Sequence, residues 1–205
     1  MTSSSKLYCA AAALASLASV APLATARAQS DLQNPSRFAV EPYLAEYSFD
    51  NGGNNGGRTG LGGFGVRVMF GHSDATKTLS TFFNRARAGA FVTYTSEQKF
   101  YSTTHVGVQG DFPLFAAPTN GGWLDPFVSL GAGIFHTAIN RAAFGNSLPP
   151  GFNPTQNKFA LTPAVGTLIP ITGSVKFRGD LGDVVVFGDN TTQNFVIEGG
   201  ISIGF

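Results

Sequence analysis

The last eleven residues of the chain, FVIEGGISIGF, alternate between two kinds of side chain. The apolar side chains lie at odd-numbered positions: Phe195, Ile197, Ile201, Ile203 and Phe205. Because successive side chains of a strand point to opposite faces, the segment predicts a strand with one apolar and one polar face. About eleven residues is also the length that a tilted strand needs to cross a bilayer. The segment therefore favours a membrane-spanning sheet over a soluble tail.

The first 28 residues have the pattern of a secretory signal peptide. Lys6 gives a basic start, residues 7–24 are apolar or small, and Ala26 and Ala28 frame a small-x-small cleavage site. Residues 1–28 are therefore predicted to be removed, which leaves one domain at 29–205. The single cysteine, Cys9, lies in the removed part, so the mature domain is predicted to use no thiol or disulfide chemistry.

Composition narrows the class of protein further. Loss of Lys6 and Arg27 leaves 11 basic against 12 acidic residues, a formal charge of −1 for the mature chain. With no basic stripe, nucleic acid is excluded as a partner. Charged residues make up only 12% of the chain, whereas soluble domains average about 25%. No second stretch of about 18 apolar residues follows the signal, so a membrane span would have to be a closed barrel.

Alternating patterns recur along the mature chain and predict eight strands. The predicted strands lie at residues 38–49, 61–70, 85–95, 103–112, 126–137, 158–169, 174–181 and 195–205. Turn-forming residues separate them. The predicted fold is all-β: an antiparallel, eight-stranded, up-and-down transmembrane β-barrel located in the outer membrane.

The connections predict a sidedness. An even number of strands places both termini on one side, taken as the periplasm. The Gly/Asn-rich residues 50–60 and the Pro-rich residues 138–156 then face outward and are candidates to contact an extracellular ligand. The link at 170–173 is predicted to be a tight periplasmic turn. Longer outer loops and shorter inner turns are expected for such barrels.

The polar parity of the predicted strands collects charged residues inside the barrel. An eight-stranded barrel is just wide enough for side chains to fill it, and charges enclosed there must pair. The predicted interior polar network consists of Glu41, Arg67, Arg87, His105, Gln109, Asp111, Lys176, Arg178, Asp180 and Glu198. Its predicted role is to fix strand register. Arg85 and Lys158 share that parity, which gives six bases against four acids.

Three passages resemble the small eight-stranded outer-membrane barrels that include the OmpA transmembrane domain and OmpX-type proteins. They are VEPYLAEYSF at 40–49, DPFVSLGAGIF at 125–135 and the C-terminal segment. The resemblance implies outer-membrane lipid and the barrel-assembly machinery as partners. It also implies that the closing strand is the assembly signal, with Gly200, Ile201, Ile203 and Phe205 matching the pattern. Gly199 departs from it, since a polar residue is usual there.

No cofactor, metal or catalytic site is predicted. The histidines, His72, His105 and His136, form no His-x-x-x-His pair. The adjacent residues His72, Ser73 and Asp74 supply the types needed for a lipid-modifying enzyme, but neighbours on an extended chain do not point at each other.

The favoured hypothesis is a non-enzymatic envelope protein with a structural or surface-interaction role. Three alternatives remain open from the sequence. They are a narrow pore with a weak preference for anions, a lipid-modifying enzyme of the outer membrane, and a soluble periplasmic carrier like a lipocalin. In the carrier the apolar parity would face inward.

Overall fold

A computed structural model describes residues 38–71, 85–97, 101–115, 123–139, 155–188 and 191–205. The predicted signal peptide, with Ala26 and Ala28 at its cleavage site, lies outside these residues. So does the His72-Ser73-Asp74 sequence. Within the described ranges, no helix is long and apolar enough to cross a membrane.

Eight strands account for nearly all of the described residues. They are β1 (Phe38–Asp50), β2 (Arg58–Gly71), β3 (Arg87–Glu97), β4 (Tyr101–Pro113), β5 (Asp125–Ile139), β6 (Thr155–Thr172), β7 (Val175–Val186) and β8 (Thr192–Gly204). Each overlaps one predicted segment, so the pattern of alternation located every strand.

The strands form one closed antiparallel barrel in sequence order. The predicted eight-stranded up-and-down barrel is therefore confirmed. β1 closes the barrel by pairing with both β2 and β8, and the Phe205 amide donates to the Phe38 carbonyl at 2.8 Å. Closure removes every strand edge, which is the condition for placing a sheet in lipid. We call the end that carries Phe38 and Phe205 the base and the opposite end the top.

Several strands extend beyond the predicted limits. Pairing of Asp50 with Arg58 and of Ala138 with Thr155 shows that the predicted loops at 50–60 and 138–156 were too wide. The true connections are 51–57 and 140–154. Once two strands are in register, backbone hydrogen bonding continues through polar and glycine residues that carry no apolar alternation.

The connections at the two ends of the barrel differ little in length. Those at the top are 51–57, 98–100, 140–154 and 187–191, and those at the base are 72–86, 114–124 and 173–174. The base connection 72–86 is as long as the longest at the top. Only the tight turn near 170–173 agrees with the expectation, although a register shift between Pro170 and Thr172 moves it to residues 173 and 174.

Large apolar side chains of all eight strands share the outer face of the barrel. The exposed members within the strands are Leu44, Phe64, Val66, Phe70, Val92, Tyr94, Val106, Val108, Phe112, Val128, Leu130, Ile134, Phe159, Val165, Ile171, Leu181, Phe195 and Ile203. The opposite parity is buried, and it contains Glu41, Arg67, Asp111 and Arg178. The predicted orientation, apolar outward and ionic inward, is what the structure has.

Glycine allows β4 and β5 to approach closely around large interior side chains. Gly107 and Gly133 lie directly opposite each other. A Cβ on Gly133 would lie 2.2 Å from the Val106 carbonyl oxygen, and a Cβ on Gly107 would lie 2.9 Å from the Phe91 ring. The missing side chains therefore make room for Phe91 and for a tightly curved wall.

We predict that Gly133→Ala strongly reduces the folded fraction of the barrel, because neither the Val106 carbonyl nor the Gly107 backbone can move away without disturbing the ladder. Gly62→Ala is the matched control, since nothing lies within 4 Å of a Cβ at that outward position. Folded and unfolded forms are to be compared by heat-modifiable electrophoretic mobility after refolding into vesicles. Equal folded yields for the two variants would contradict this explanation of the close approach.

Candidate functional site

A cluster of seven charged side chains fills the base half of the interior. The acids are Glu41, Asp111, Asp180 and Glu198, and the bases are Arg67, Arg87 and Arg178. They come from β1, β2, β3, β4, β7 and β8. We call these seven residues the ionic network. Since its members come from six strands, the network connects walls of the barrel that share no backbone hydrogen bonds.

Arg178 is the centre of the ionic network. Its Nε donates to Asp180 at 2.7 Å, its Nη1 to Asp111 at 2.5 Å and to Glu41 at 3.0 Å, and its Nη2 to Asp180 at 2.9 Å and Asp111 at 3.2 Å. All five guanidinium N–H groups thus have carboxylate partners. The Phe127 ring lies 4.4 Å from the guanidinium carbon, which adds a cation–π contact from β5.

The other two arginines extend the ionic network around the wall. Arg87 donates to Glu41 and to Asp111, each at 2.7 Å. Arg67 donates to Glu198 and lies 3.5 Å from Asp180. Asp180 and Glu198 are directly opposite each other on β7 and β8, so without Arg67 two like charges would face each other across that pair.

Two neutral side chains complete the shell around these charges. The Ser202 hydroxyl donates to Glu41 at 2.8 Å, and Gln109 Nε2 donates to Asp111 at 2.8 Å. The Tyr43 ring lies 4.4 Å from the Arg67 guanidinium carbon, and its hydroxyl is 2.6 Å from the Thr93 hydroxyl. Tyr43 therefore joins the charged region to the hydroxyl groups above it.

Eight of the ten predicted network residues are brought together. These are the seven of the ionic network and Gln109. Lys176 lies instead in the lining of a recess at the base. His105 lies against Phe91 and Phe135, with ring centroids 4.8 and 5.6 Å away, and so is packed among aromatic rings.

Sequence reasoning missed the aromatic part of the site. Tyr43 and Tyr47 are both buried inside the barrel, although the predicted interior network included neither of them. Their odd parity, which they share with Glu41, was the signal that could have placed them there. Phe127 was also not predicted to contact a charge.

The expected excess of base does not occur in the ionic network, where four carboxylates meet three guanidinium groups. Arg85 pairs separately with Asp125 at 2.5 Å near the base. Lys158 lies toward the top, beside Gly188. Within the ionic network, therefore, the charge balance gives no support to a preference for anions.

The top half of the interior is an apolar core. It consists of Tyr43, Ala45, Tyr47, Leu61, Phe135, Ala160, Val184, Val186 and Val196. We call it the apolar cluster. The base recess has a cavity volume of about 40 Å³, which corresponds to only a few waters at roughly 10–15 Å³ each. The interior is thus ionic toward the base and mainly apolar toward the top, where Thr95, Thr103 and Asn194 are also buried.

Metal binding finds no support in this interior. Across the described ranges, no group of three or more His, Cys, Asp or Glu residues is arranged to hold a metal ion. The four buried carboxylates are already occupied by arginine.

Comparison with solved structures identifies the fold. Neisserial surface protein A superposes with a TM-score of 0.56 at 12% identity, covering 83% of this chain and 98% of that one. The outer membrane protein OprG from Pseudomonas aeruginosa gives a TM-score of 0.50 at 9% identity, covering 85% of this chain and 99% of that one. The sequence matches no protein-family model and no curated protein. The expected resemblance is confirmed at the level of the fold.

We predict that Arg178→Leu lowers the free energy of unfolding by about 3–5 kcal/mol, since removing one partner of a buried ion cluster leaves charges uncompensated. Arg85→Leu is the matched control, because its pair with Asp125 lies outside the ionic network, and we expect a clearly smaller loss. Urea titration of the heat-modifiable folded form in vesicles measures both. A loss for Arg178→Leu no larger than that for Arg85→Leu would show that the ionic network does not hold the barrel together.

Proposed function

We propose that this chain, a small eight-stranded outer-membrane β-barrel, is a non-enzymatic component of the cell envelope. In this proposal residues 1–28 direct export, the base faces the periplasm and the top faces outward. The barrel serves as a rigid support that presents its top connections at the cell surface. The observation that carries the proposal is the division of the molecule into an apolar outer face and an interior filled by its own side chains.

The outer face supports a lipid environment. Leu44 is 71% exposed, and Phe64 and Val108 are each 63% exposed, although all three belong to well-paired strands. A contiguous apolar surface of this extent on a soluble protein would promote aggregation. In a bilayer the same surface is favourable. The lipocalin-like carrier requires the inverse orientation, with these side chains around an internal cavity, so the arrangement counts against it.

The filled interior counts against the pore. An ion would have to pass both the ionic network and the apolar cluster, and eight strands leave little bore beyond the space that side chains fill. Movement through the network would also break the pairs that compensate buried charge.

The contacts of the described histidines give the enzyme alternative no support. His105 lies between aromatic rings, and His136 Nδ1 lies 2.6 Å from the Asn157 side-chain oxygen. A nucleophilic site instead needs a serine within reach of a histidine that a carboxylate orients.

Contact with other cells or surfaces is assigned to the top. Residues 51–57 and 140–154 connect strands at that end, and their Gly, Asn and Pro content is typical of loops. Their placement on a rigid barrel is the arrangement in which surface loops commonly carry binding. The other proposed partners are lipid around the apolar outer face and the assembly machinery at the closing strand.

We predict that the chain remains with the membrane pellet in high salt and dissolves only in detergent. The reason is that the apolar outer face of the barrel is held in the membrane by contact with lipid chains and not by charge. Fractionation of outer membranes, followed by immunoblotting of salt and detergent extracts, measures this. Release by salt alone would favour the soluble carrier.

The proposed role itself is tested by complementing a strain that lacks the gene. We predict that the full chain, and a variant with residues 140–154 replaced by a short Gly/Ser linker, both restore exclusion of the dye N-phenylnaphthylamine. Only the full chain is expected to restore attachment of cells to polystyrene. Dye uptake and attachment unchanged by loss of the gene would contradict both parts of the proposal.

The closing strand is proposed to be the assembly signal. Phe205 continues the β8 pairing through its bond to Phe38, and the two rings lie 5.8 Å apart. Phe38 also packs against Phe70 at 5.5 Å. Ile203 pairs with both Val40 and Val175, so the end of β8 forms the base of the barrel seam.

We predict that Phe205→Asp, or deletion of Phe205, lowers the folded yield in the outer membrane several-fold while leaving the ionic network intact. Phe115→Asp provides the control, since Phe115 is an exposed aromatic outside the closing strand. Heat-modifiable mobility of the membrane-inserted protein measures the folded yield. Normal assembly of the Phe205 deletion would remove the closing strand as the signal.

A further inference from the structure

A small cavity lies inside the barrel where the ionic network meets aromatic and hydroxyl side chains. Its volume is about 10 Å³, and its lining includes Arg67, Phe91, His105, Thr162 and Glu198. A site needs roughly 10–15 Å³ to accommodate one water. The cavity therefore has room for a single molecule of that size.

Three residues that line this cavity each have one unpaired polar atom. Arg67 Nε, His105 Nε2 and Thr162 Oγ1 are buried and have no hydrogen-bond partner among the described residues. Such buried polar atoms are rarely left unpaired in native proteins. Because all three residues line one cavity, a single small molecule bound there could pair with all three atoms.

We propose that this cavity binds one ordered water molecule, which pairs with Arg67 Nε, His105 Nε2 and Thr162 Oγ1 together. The water accepts a hydrogen bond from the Arg67 Nε–H group. It also bonds with the His105 nitrogen and the Thr162 hydroxyl, whose donor or acceptor roles follow from the tautomer and the hydroxyl rotation. Three hydrogen bonds are typical of a buried structural water.

The charges around the cavity select water over an ion. Arg67 contributes one positive charge, and Asp180 and Glu198 contribute two negative charges. This excess of negative charge disfavours an anion. A cation is disfavoured because Arg67 Nε is a donor with no lone pair to offer. A neutral molecule that both donates and accepts fits all three atoms.

The water would connect β6, which the ion pairs do not reach, to β2 and β4. His105 belongs to β4 and Thr162 to β6, and β6 supplies no member of the ionic network. A shared water joins both strands to Arg67 of β2. It also brings His105 into the polar interior that the sequence predicted for it, through an intermediary in place of direct contact.

The primary test is a crystal structure of the refolded barrel in detergent at a resolution that shows ordered water. We expect a density peak within hydrogen-bond distance of all three atoms. Rotated side chains that pair these atoms directly, or a cavity with no such peak, would overturn the proposal. This measurement needs no variant and does not depend on the cellular location of the barrel.

A second test compares three substitutions by urea titration in vesicles. Thr162→Val is expected to reduce the folding equilibrium constant roughly tenfold, because the water loses a partner, and Thr162→Ser is expected to retain most of the stability. Thr167→Val is the matched control, since Thr167 Oγ1 is also unpaired among the described residues but does not line this cavity. A loss for Thr167→Val equal to that for Thr162→Val would count against the water.

Discussion

The structure depends on the requirement that a buried guanidinium be surrounded by carboxylates. Arg178 is 2% exposed, and charge taken out of water costs several kcal/mol unless its partners are well placed. Its three partners, Glu41, Asp111 and Asp180, stand on three strands. A slip of β7 by one residue would turn Arg178 and Asp180 toward lipid and would remove one guanidinium partner from Glu41 and from Asp111. The ionic network therefore opposes every register except one, whatever its net contribution to stability.

The two levels of the interior have different roles in folding: the apolar cluster provides stability and the ionic network fixes the register. Most side chains of the apolar cluster at the top have no polar group, so the cluster tolerates small displacements and supplies hydrophobic stabilisation. The exceptions are the hydroxyl groups of Tyr43 and Tyr47. The ionic network at the base tolerates no such displacement, because its hydrogen bonds need specific distances. Tyr43 belongs to both levels, since its ring contacts Arg67 and its hydroxyl meets Thr93. A barrel with an apolar interior alone would be filled, but the register between its strands would be poorly specified.

Alternation in the sequence was sufficient for the strands and for which face each residue occupies. It predicted Glu41 and Arg67 on the inner face, and the register then placed them side by side. It could not predict that Glu41 pairs with Arg178, which is 137 residues away, because such contacts depend on the stagger of strands across the interior. It also ended β7 too early. Val184 and Val186 face inward, whereas Val185 between them faces outward. Because both faces are apolar there, the sequence shows no alternation of apolar and polar residues.

The departure at Gly199 has a structural cause. Gly199 lies directly opposite Gly179 on the outer face. The Phe177 ring lies 3.5 Å from the position of a Cβ on Gly179 and 4.0 Å from that on Gly199. An aromatic ring that covers glycines on a neighbouring strand protects backbone that would otherwise be bare. A Cβ at position 199 would be at ordinary van der Waals distance from this ring, but a polar side chain there would face hydrocarbon. The outward direction of position 199, and not a lack of space beside Phe177, is therefore what disfavours a polar residue there.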